Sequence, residues 1–462
     1  MDKARKPRRM RPEARTLPEC LREFLTAAVW KQARQAGKKR KLPRWDVHRL
    51  VLVLLMMTWA CGDSLPEKFE VARGFYAVCC PKRRRPGKTF QGFQQALERL
   101  PMSVLRAIAA GVRGRLEALF GSRLLVEGFF PLGCDGSRLE CPRSEELEKR
   151  LGKSGKRKNR KSSRKGSQKK DSAPTVWITA LVHLGNGVPW AWRFGKGDKA
   201  SERDHLCRML SLLPKLALVV TDAGYYGYEL ILTLVRAEVD FLIRMSTNVK
   251  LYTQGHVELE DFREGVVYYW PEALQKKGGV PIRARLIRLC GKSKKRQYDV
   301  WLLTNVMDQK RLSHRQADRF YRWRWESEGY FRTYKQTMKK LKLRSRTVRC
   351  VHREAEASMI ATQLLLAQGA LAVPKPSRQE EPVLCSPRKV LLEIRREMRR
   401  AAPRRNFRDR LRYARRERRV RTRGKEKRVW PRRKEHKPPG PPQILRLTKA
   451  QERLLSRCET AA

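Results

Sequence analysis

The chain has 462 residues, with 106 Lys and Arg against 46 Asp and Glu, a formal net charge of +60, and 41% hydrophobic residues. That apolar content excludes a disordered chain and supports about two to four domains with at least one well-buried core. A compact body so charged repels itself unless a polyanion neutralises it. Nucleic acid is therefore the first partner to expect, whereas an anionic membrane would require an amphipathic or lipidated anchor and none is visible.

The opening MDKARKPRRMRPEART lacks the apolar stretch and cleavage site of a secretory signal, so the expected location is cytoplasmic. Residues 1–122 alternate basic connectors with apolar residues at helical spacing, which predicts a helical domain suited to binding DNA. A merely solvated reading of the connectors, such as CCPKRRRPGKT, is equally open. The most apolar run, LVLVLLMMTWAC at 50–61, falls well short of the ~20 residues that cross a bilayer and reads as a core helix. The eleven cysteines are an odd number with no Cys-x2-Cys pair, which favours reduced thiols over a disulfide framework or a zinc site.

From about residue 123 the texture becomes mixed α/β. FFPLGCDGSRL reads as a strand entering a polar turn, and TVWITALVHLGNGVPWAWRFG as two strands about Asn186-Gly187. A helix at SERDHLCRMLSLL, a buried strand at KLALVVTDAGYYG, a helix at YELILTLVRAEV and a strand at DFLIRMS follow. Residues 247–298 read as a β-rich insertion, YDVWLLTNV as a return to the core, and 313–341 as a long helix. The segment 149–171 is a basic loop without apolar periodicity. Residues 346–385 read as a helical extension and 386–462 as a basic tail without packed structure, solvated or ordered by DNA.

The stretch YRWRWESEGYFRTYK carries the chemistry. At about 100° per residue, Tyr321, Arg324, Glu328 and Lys335 fall within about a 60° arc of one helix face. A carboxylate can ligate a hard cation such as Mg²⁺, while a guanidinium and an ammonium pair with phosphate. The bland alternative is a surface helix with an Arg324–Glu328 ion pair worth tenths of a kcal/mol. Asp135 in GCDGS and Asp222 in VVTDAGYY each follow an apolar run at a strand end, where open sheets present ligand-binding groups, although each can equally form an Asx turn. Three acids at separate elements are what a pair of divalent ions needs to drive phosphoryl transfer. Glu202 and Asp204 are further acids with room for a supporting role. Trp323 and Trp325 read as packing, as do Trp190 and Trp192 on one side of a strand, and Cys134 should face away from Asp135.

The spacing Y-x2-R-x3-E-x6-K, filled by Tyr321, Arg324, Glu328 and Lys335, resembles the signature of the insertion-sequence-four family of bacterial DDE transposases. Asp135-Gly136-Ser137 and Asp222-Ala223-Gly224-Tyr225 resemble its two aspartate motifs, and the β-rich segment lies where that family carries its insertion. The resemblance, over about residues 125–345, implies an RNase H-like catalytic core at 123–345 whose metal ligands Asp135, Asp222 and Glu328 bind two Mg²⁺, with Mn²⁺ as a substitute. It further implies that Tyr321, Arg324 and Lys335 grip DNA. The implied activity is cleavage at transposon terminal inverted repeats and strand transfer into target DNA, by a homodimer acting near the bacterial nucleoid. The competing expectation is a catalytically inactive DNA-binding descendant that keeps the fold and charge.

Overall fold

The computed structural model describes residues 15–37, 45–151, 173–197, 200–293, 296–373, 384–416 and 440–460. Six helices come first: α1 (Leu17–Phe24), α2 (Ala27–Ala36), α3 (Val47–Trp59), α4 (Leu65–Cys79), α5 (Phe90–Arg99) and α6 (Met102–Phe120). Side-chain oxygens of Thr16, Thr26, Asp46, Ser64 and Thr89 cap the N-termini of α1 to α5, satisfying amides that would otherwise lack partners. The apolar run at 50–61 is indeed a core helix, because Leu50 through Trp59 of α3 are buried on all sides. Among the described residues no helix is long and apolar enough to cross a membrane.

Then comes the sheet, with β1 (Phe130–Glu140), α7 (Glu145–Leu151), β2 (Thr175–His183), β3 (Pro189–Lys196), α8 (Glu202–Cys207), β4 (Ala217–Thr221), α9 (Tyr228–Arg236) and β5 (Asp240–Arg244). β1, β2 and β3 form an antiparallel meander, and β4 and β5 run parallel to β1, giving the order β3-β2-β1-β4-β5. A meander of three strands extended by two parallel strands on its other side is the RNase H-like arrangement. The expected hairpin closes at Asn186-Gly187, where Gly187 adopts φ +73°, a conformation that favours glycine.

Beyond β5 the chain builds β6 (Lys250–Thr253), β7 (Glu264–Tyr269), α10 (Glu272–Gln275), β8 (Ile282–Ser293) and β9 (Arg296–Thr304). The insertion is β-rich, and it extends the core sheet instead of standing apart: β9 pairs antiparallel with β5, and β8, β7 and β6 follow outward. Helices α11 (His314–Trp323) and α12 (Trp325–Arg332) break at Arg324, and a π-helical turn, Thr333–Thr337, ends the segment read from sequence as one long helix.

The last elements are α13 (Val348–Ala372), α14 (Pro387–Met398), α15 (Phe407–Leu411), β10 (Gln443–Arg446) and α16 (Lys449–Thr460). Nearly every residue of α13 is buried, and it packs against α1, α3, α5, α6, α14, α15 and β3. Its polar side chains are spent on neighbouring backbone: Gln363 Nε2 donates to the Pro189 carbonyl (2.7 Å) and Gln368 Nε2 to that of Cys20 (2.8 Å). The Trp59 indole in turn donates to the carbonyl of Ala361 (3.1 Å). The N-terminal helices and the helical extension therefore share one core.

The expectation of an unpacked tail from 386 onward is corrected here. Val390, Leu391, Ile394 and Met398 recur at helical spacing and bury the inner face of α14, while β10 adds in parallel to β6 and Leu447 and Leu455 join Tyr252, Tyr268 and Trp270 in a separate apolar cluster. Arginine-rich composition hid these short apolar stripes. Residues 152–171 of the basic loop and 417–439 of the tail lie outside the described residues. If α13 is the spine, Ile360→Ala, at a fully buried position, should cost about 3 kcal/mol in urea unfolding of the whole chain. Leu392→Ala on the exposed side of α14 should stay within about 0.5 kcal/mol.

Candidate active site

Parallel pairing of β1 with β4 runs from Phe130↔Ala217 to Gly133↔Val220, and continuing it by two residues sets Asp135 level with Asp222. Adjacent strands lie about 4.8 Å apart, so the register brings these two carboxylates side by side, Asp222 just past the end of β4 and Asp135 in the middle of β1, which runs on to Glu140 instead of entering the polar turn expected from the sequence. Asp135 Oδ1 accepts from the Gly136 amide (2.8 Å) within the strand, whereas Asp222 Oδ1 accepts from that of Gly224 (2.8 Å) in the turn after β4. Asp222 thus forms the Asx turn that the sequence left open, with its second oxygen uncommitted by that bond.

Two glycines let other groups close on this point. A Cβ on Gly133 would sit 2.2 Å from Ser327 Oγ, so only glycine allows α12 to lie so near β1. A Cβ on Gly136 would sit 2.4 Å from Glu202 Oε1, so the bare backbone there admits the Glu202 carboxylate from α8. Tyr225 hydrogen-bonds that carboxylate from beneath, and Cys134, on the opposite face from Asp135 as expected, donates to the Tyr225 hydroxyl (3.5 Å).

The result is a half-buried group of acids. Burial, followed by the neighbouring charges of Glu202 and Asp222, pushes the Asp135 carboxyl up to about 6 against an amide bond and the Arg324 guanidinium that pull it down. Glu202 is likewise raised, by burial and then by Asp222. Lys335 projects from the π-helical turn to within the influence of Asp135 and Glu140, and burial lowers its pKa.

Arg324, at the break between α11 and α12, is only 6% exposed and sits between the rings of Tyr321 and Trp325 (5.7 and 5.0 Å to the centroids). One of its terminal nitrogens reaches Glu328 Oε1 at 3.5 Å, yet its Nε is buried with no hydrogen-bond partner. Glu328 is thus held by Arg324. Accordingly, no group of three or more His, Cys, Asp and Glu is drawn together tightly enough to hold a metal ion among the described residues. Asp135 lies within electrostatic reach of Asp222, Glu202 and Lys335, while Glu328 is paired with Arg324.

Tyr321 is buried in the cluster that includes Phe320 and Trp323, its hydroxyl meeting Arg244 (3.5 Å), so it supports Arg324 from within the protein. Trp323 packs as expected. Trp325 does not: it is 60% exposed, which corrects the packing assignment, because the helix break turns it outward beside Arg324.

The donor set fits a hard divalent cation. It consists of carboxylate oxygens, the ligands that suit such an ion, and Asp135 is raised first by burial and only then by the charges of Glu202 and Asp222. Asp135, Asp222 and, once freed, Glu328 are the residues that would hold it, with Glu202 behind them.

Residues 135–364, just under half of the chain, match a family model described as Transposase DDE domain. No curated protein matches the chain. Among solved structures it is similar to a piggyBac transposase in a synaptic complex with hairpin DNA, at 10% identity and a TM-score of 0.38, over 82% of this chain and 79% of that one.

Asp135 binds its proton more tightly when folded, so its contribution to stability is fully present below about pH 4 and is lost as the pH rises through about 6, some 3 kcal/mol for a rise from 3.8. In metal-free buffer Asp135→Asn should therefore melt above the natural chain at about pH 8 and together with it at about pH 3.5. A constant offset across that range would refute the electrostatic origin.

Proposed function

We propose that this protein is an insertion-sequence transposase that cuts DNA at the ends of its element and joins the freed 3′ ends to target DNA, with Asp135, Asp222 and Glu328 as the metal-binding triad. The observation that carries this reading is the level placement of Asp135 and Asp222 on adjacent parallel strands, with the helix bearing Glu328 packed on β1 and its neighbour β2. When bound, two Mg²⁺ supply activation of the attacking water or 3′-hydroxyl and stabilisation of the leaving oxygen.

The chain's own residues do the rest. Arg324 is nearly buried and holds Glu328 through one terminal nitrogen, and a phosphate reaching that terminal nitrogen in place of Glu328 would gain a charge-assisted contact. A phosphate that takes Arg324 releases Glu328, so the third acid becomes available when DNA is in place. Lys335 balances Asp135 and adds a second cation at the phosphate. The outward indole of Trp325 gives a face on which an unstacked base can rest, a contact worth about 1–3 kcal/mol. Two element ends must be processed together, for which a homodimer is the simplest assembly.

Asp222→Asn and Glu328→Gln should each reduce Mg²⁺-dependent strand cleavage by at least about a thousandfold while leaving affinity for element-end DNA within about threefold, because removing a carboxylate does not weaken the hold on phosphate. If the natural chain binds those ends and never nicks them with Mg²⁺ or Mn²⁺, it is instead a non-cleaving DNA-binding descendant. Arg324→Ala should lower the cleavage rate about a hundredfold with a far smaller loss of general DNA affinity. Equal losses would make Arg324 a nonspecific contact.

A further inference from the structure

A second concentration of charge lies away from the acids, in a cavity of about 600 Å³ bounded by α6, β3, α8 and α13. Six arginines line it: Arg106 and Arg113 from α6, Arg193 from β3, Arg208 following α8, and Arg349 and Arg353 from α13. Arg106, Arg208 and Arg349 are exposed at its rim, Arg113 and Arg193 are half-buried in its walls, and Arg353 is buried.

The inner guanidiniums are held in place but not neutralised. Arg353 donates from Nε to the Leu100 carbonyl and from a terminal nitrogen to that of Arg349 (2.6 Å each), and Arg193 donates to the Arg208 carbonyl (3.2 Å). Carbonyls orient these groups without cancelling their charge. Arg193 Nε is buried with no partner. The carboxylates nearby are Glu117 beside Arg113, Glu98 beside Arg353, and Glu356, which accepts from the Trp192 indole (2.9 Å). Six guanidiniums thus line a cavity whose one lining carboxylate among the described residues is Glu356, with Asp204 a further acid beside the lining His205, and burial raises Glu356 to about 7, so that it is only partly ionised at neutral pH. Arg113 is in turn lowered by burial and by repulsion from Arg193. Like charges pressed together in a recess cost free energy that an anion would recover.

We propose that this cavity is a binding site for a compact, multiply phosphorylated small molecule. Its volume lies within the range of about 300–1,000 Å³ typical of small-ligand pockets. A nucleic-acid backbone passing across the opening would meet the rim arginines and leave Arg113 and Arg193 in the walls unmatched. Several phosphates on one small ligand reach both sets at once, and planar guanidiniums suit them through paired N–H donors.

The test is calorimetric titration of the full chain with sodium tripolyphosphate at about 0.15 M salt, which screens exposed charge more than recessed charge. One saturable site per chain is expected, weakened at least about tenfold by Arg113→Ala/Arg193→Ala. The rim variant Arg106→Ala/Arg349→Ala, which leaves the interior packing alone, should weaken it comparably. The charge-matched control Arg84→Ala/Arg85→Ala, on an exposed loop, should change it less than about twofold. Non-saturating uptake, or equal losses in the control, would overturn the proposal by showing general attraction to a basic protein. Loss of short-duplex DNA affinity in the cavity variants, matching their loss for tripolyphosphate, would overturn it in favour of a DNA-backbone contact.

Discussion

The parallel pairing of β1 with β4 is the constraint on which the remaining structure depends. It puts two carboxylates on neighbouring strands at one level, and like charges at that spacing do not stay together unless something holds the strands and something else answers the charge. The strands are held because both lie inside a ten-stranded sheet, with the β2–β3 meander on one side and β5 with the β9 edge on the other. The charge is answered in part by Lys335 and Arg324, and Asp135 remains raised despite them. A site left in that condition is matched to a cation and to the anionic DNA that accompanies one.

The position of the third acid depends on a different element. The segment carrying Glu328 and Lys335 is anchored on α13, where the Tyr330 hydroxyl meets Met359 Sδ (3.0 Å) and the Tyr334 hydroxyl meets Ser358 (2.5 Å), both fully buried. On its other side it touches β1 through the gap above Gly133. The same helix α13 binds the N-terminal helices, so the unit that presents Glu328 and the N-terminal helices are mechanically continuous. The ion pair Arg416–Glu326 (2.6 Å) adds a contact from the basic C-terminal region to α12, next to the site.

The net charge of +60 is distributed with some order. Part of it is consumed in structural pairs, such as Lys340 with the buried Glu354 (3.0 Å), and part closes the site through Arg324 and Lys335. Part stands in the arginine-lined recess between α6, β3 and α13, where the carboxylates are too few to balance it. Uniform repulsion would destabilise the fold; grouping the cations where an anion can dock turns the same charge into binding capacity.

Local signals in the chain determined a good deal. Alternation and turn residues marked β1 to β5 and helical periodicity marked α3 and α9, whereas the single helix face expected for Tyr321, Arg324, Glu328 and Lys335 is divided by the break at Arg324 and the π-helical turn that carries Lys335. Asp222 was legible as an acid closing an apolar strand, since a strand end is a local property, whereas Asp135 lies inside β1, whose pairing with β2 carries it on to Glu140. Register was not legible: nothing local says that residue 135 stands level with 222, because pairing of distant strands is settled by the packing of both sheet faces. The break at Arg324, which buries Tyr321 and turns Trp325 outward, the approach of Glu202 through the space left by Gly136, and the packing of α14 and β10 from an arginine-rich segment all depend on neighbours far away in sequence. The sequence could therefore name the acids and cations of the site, and only the tertiary structure decided which of them meet, because proximity between distant segments is produced by the shared core and is written in no single stretch of the chain.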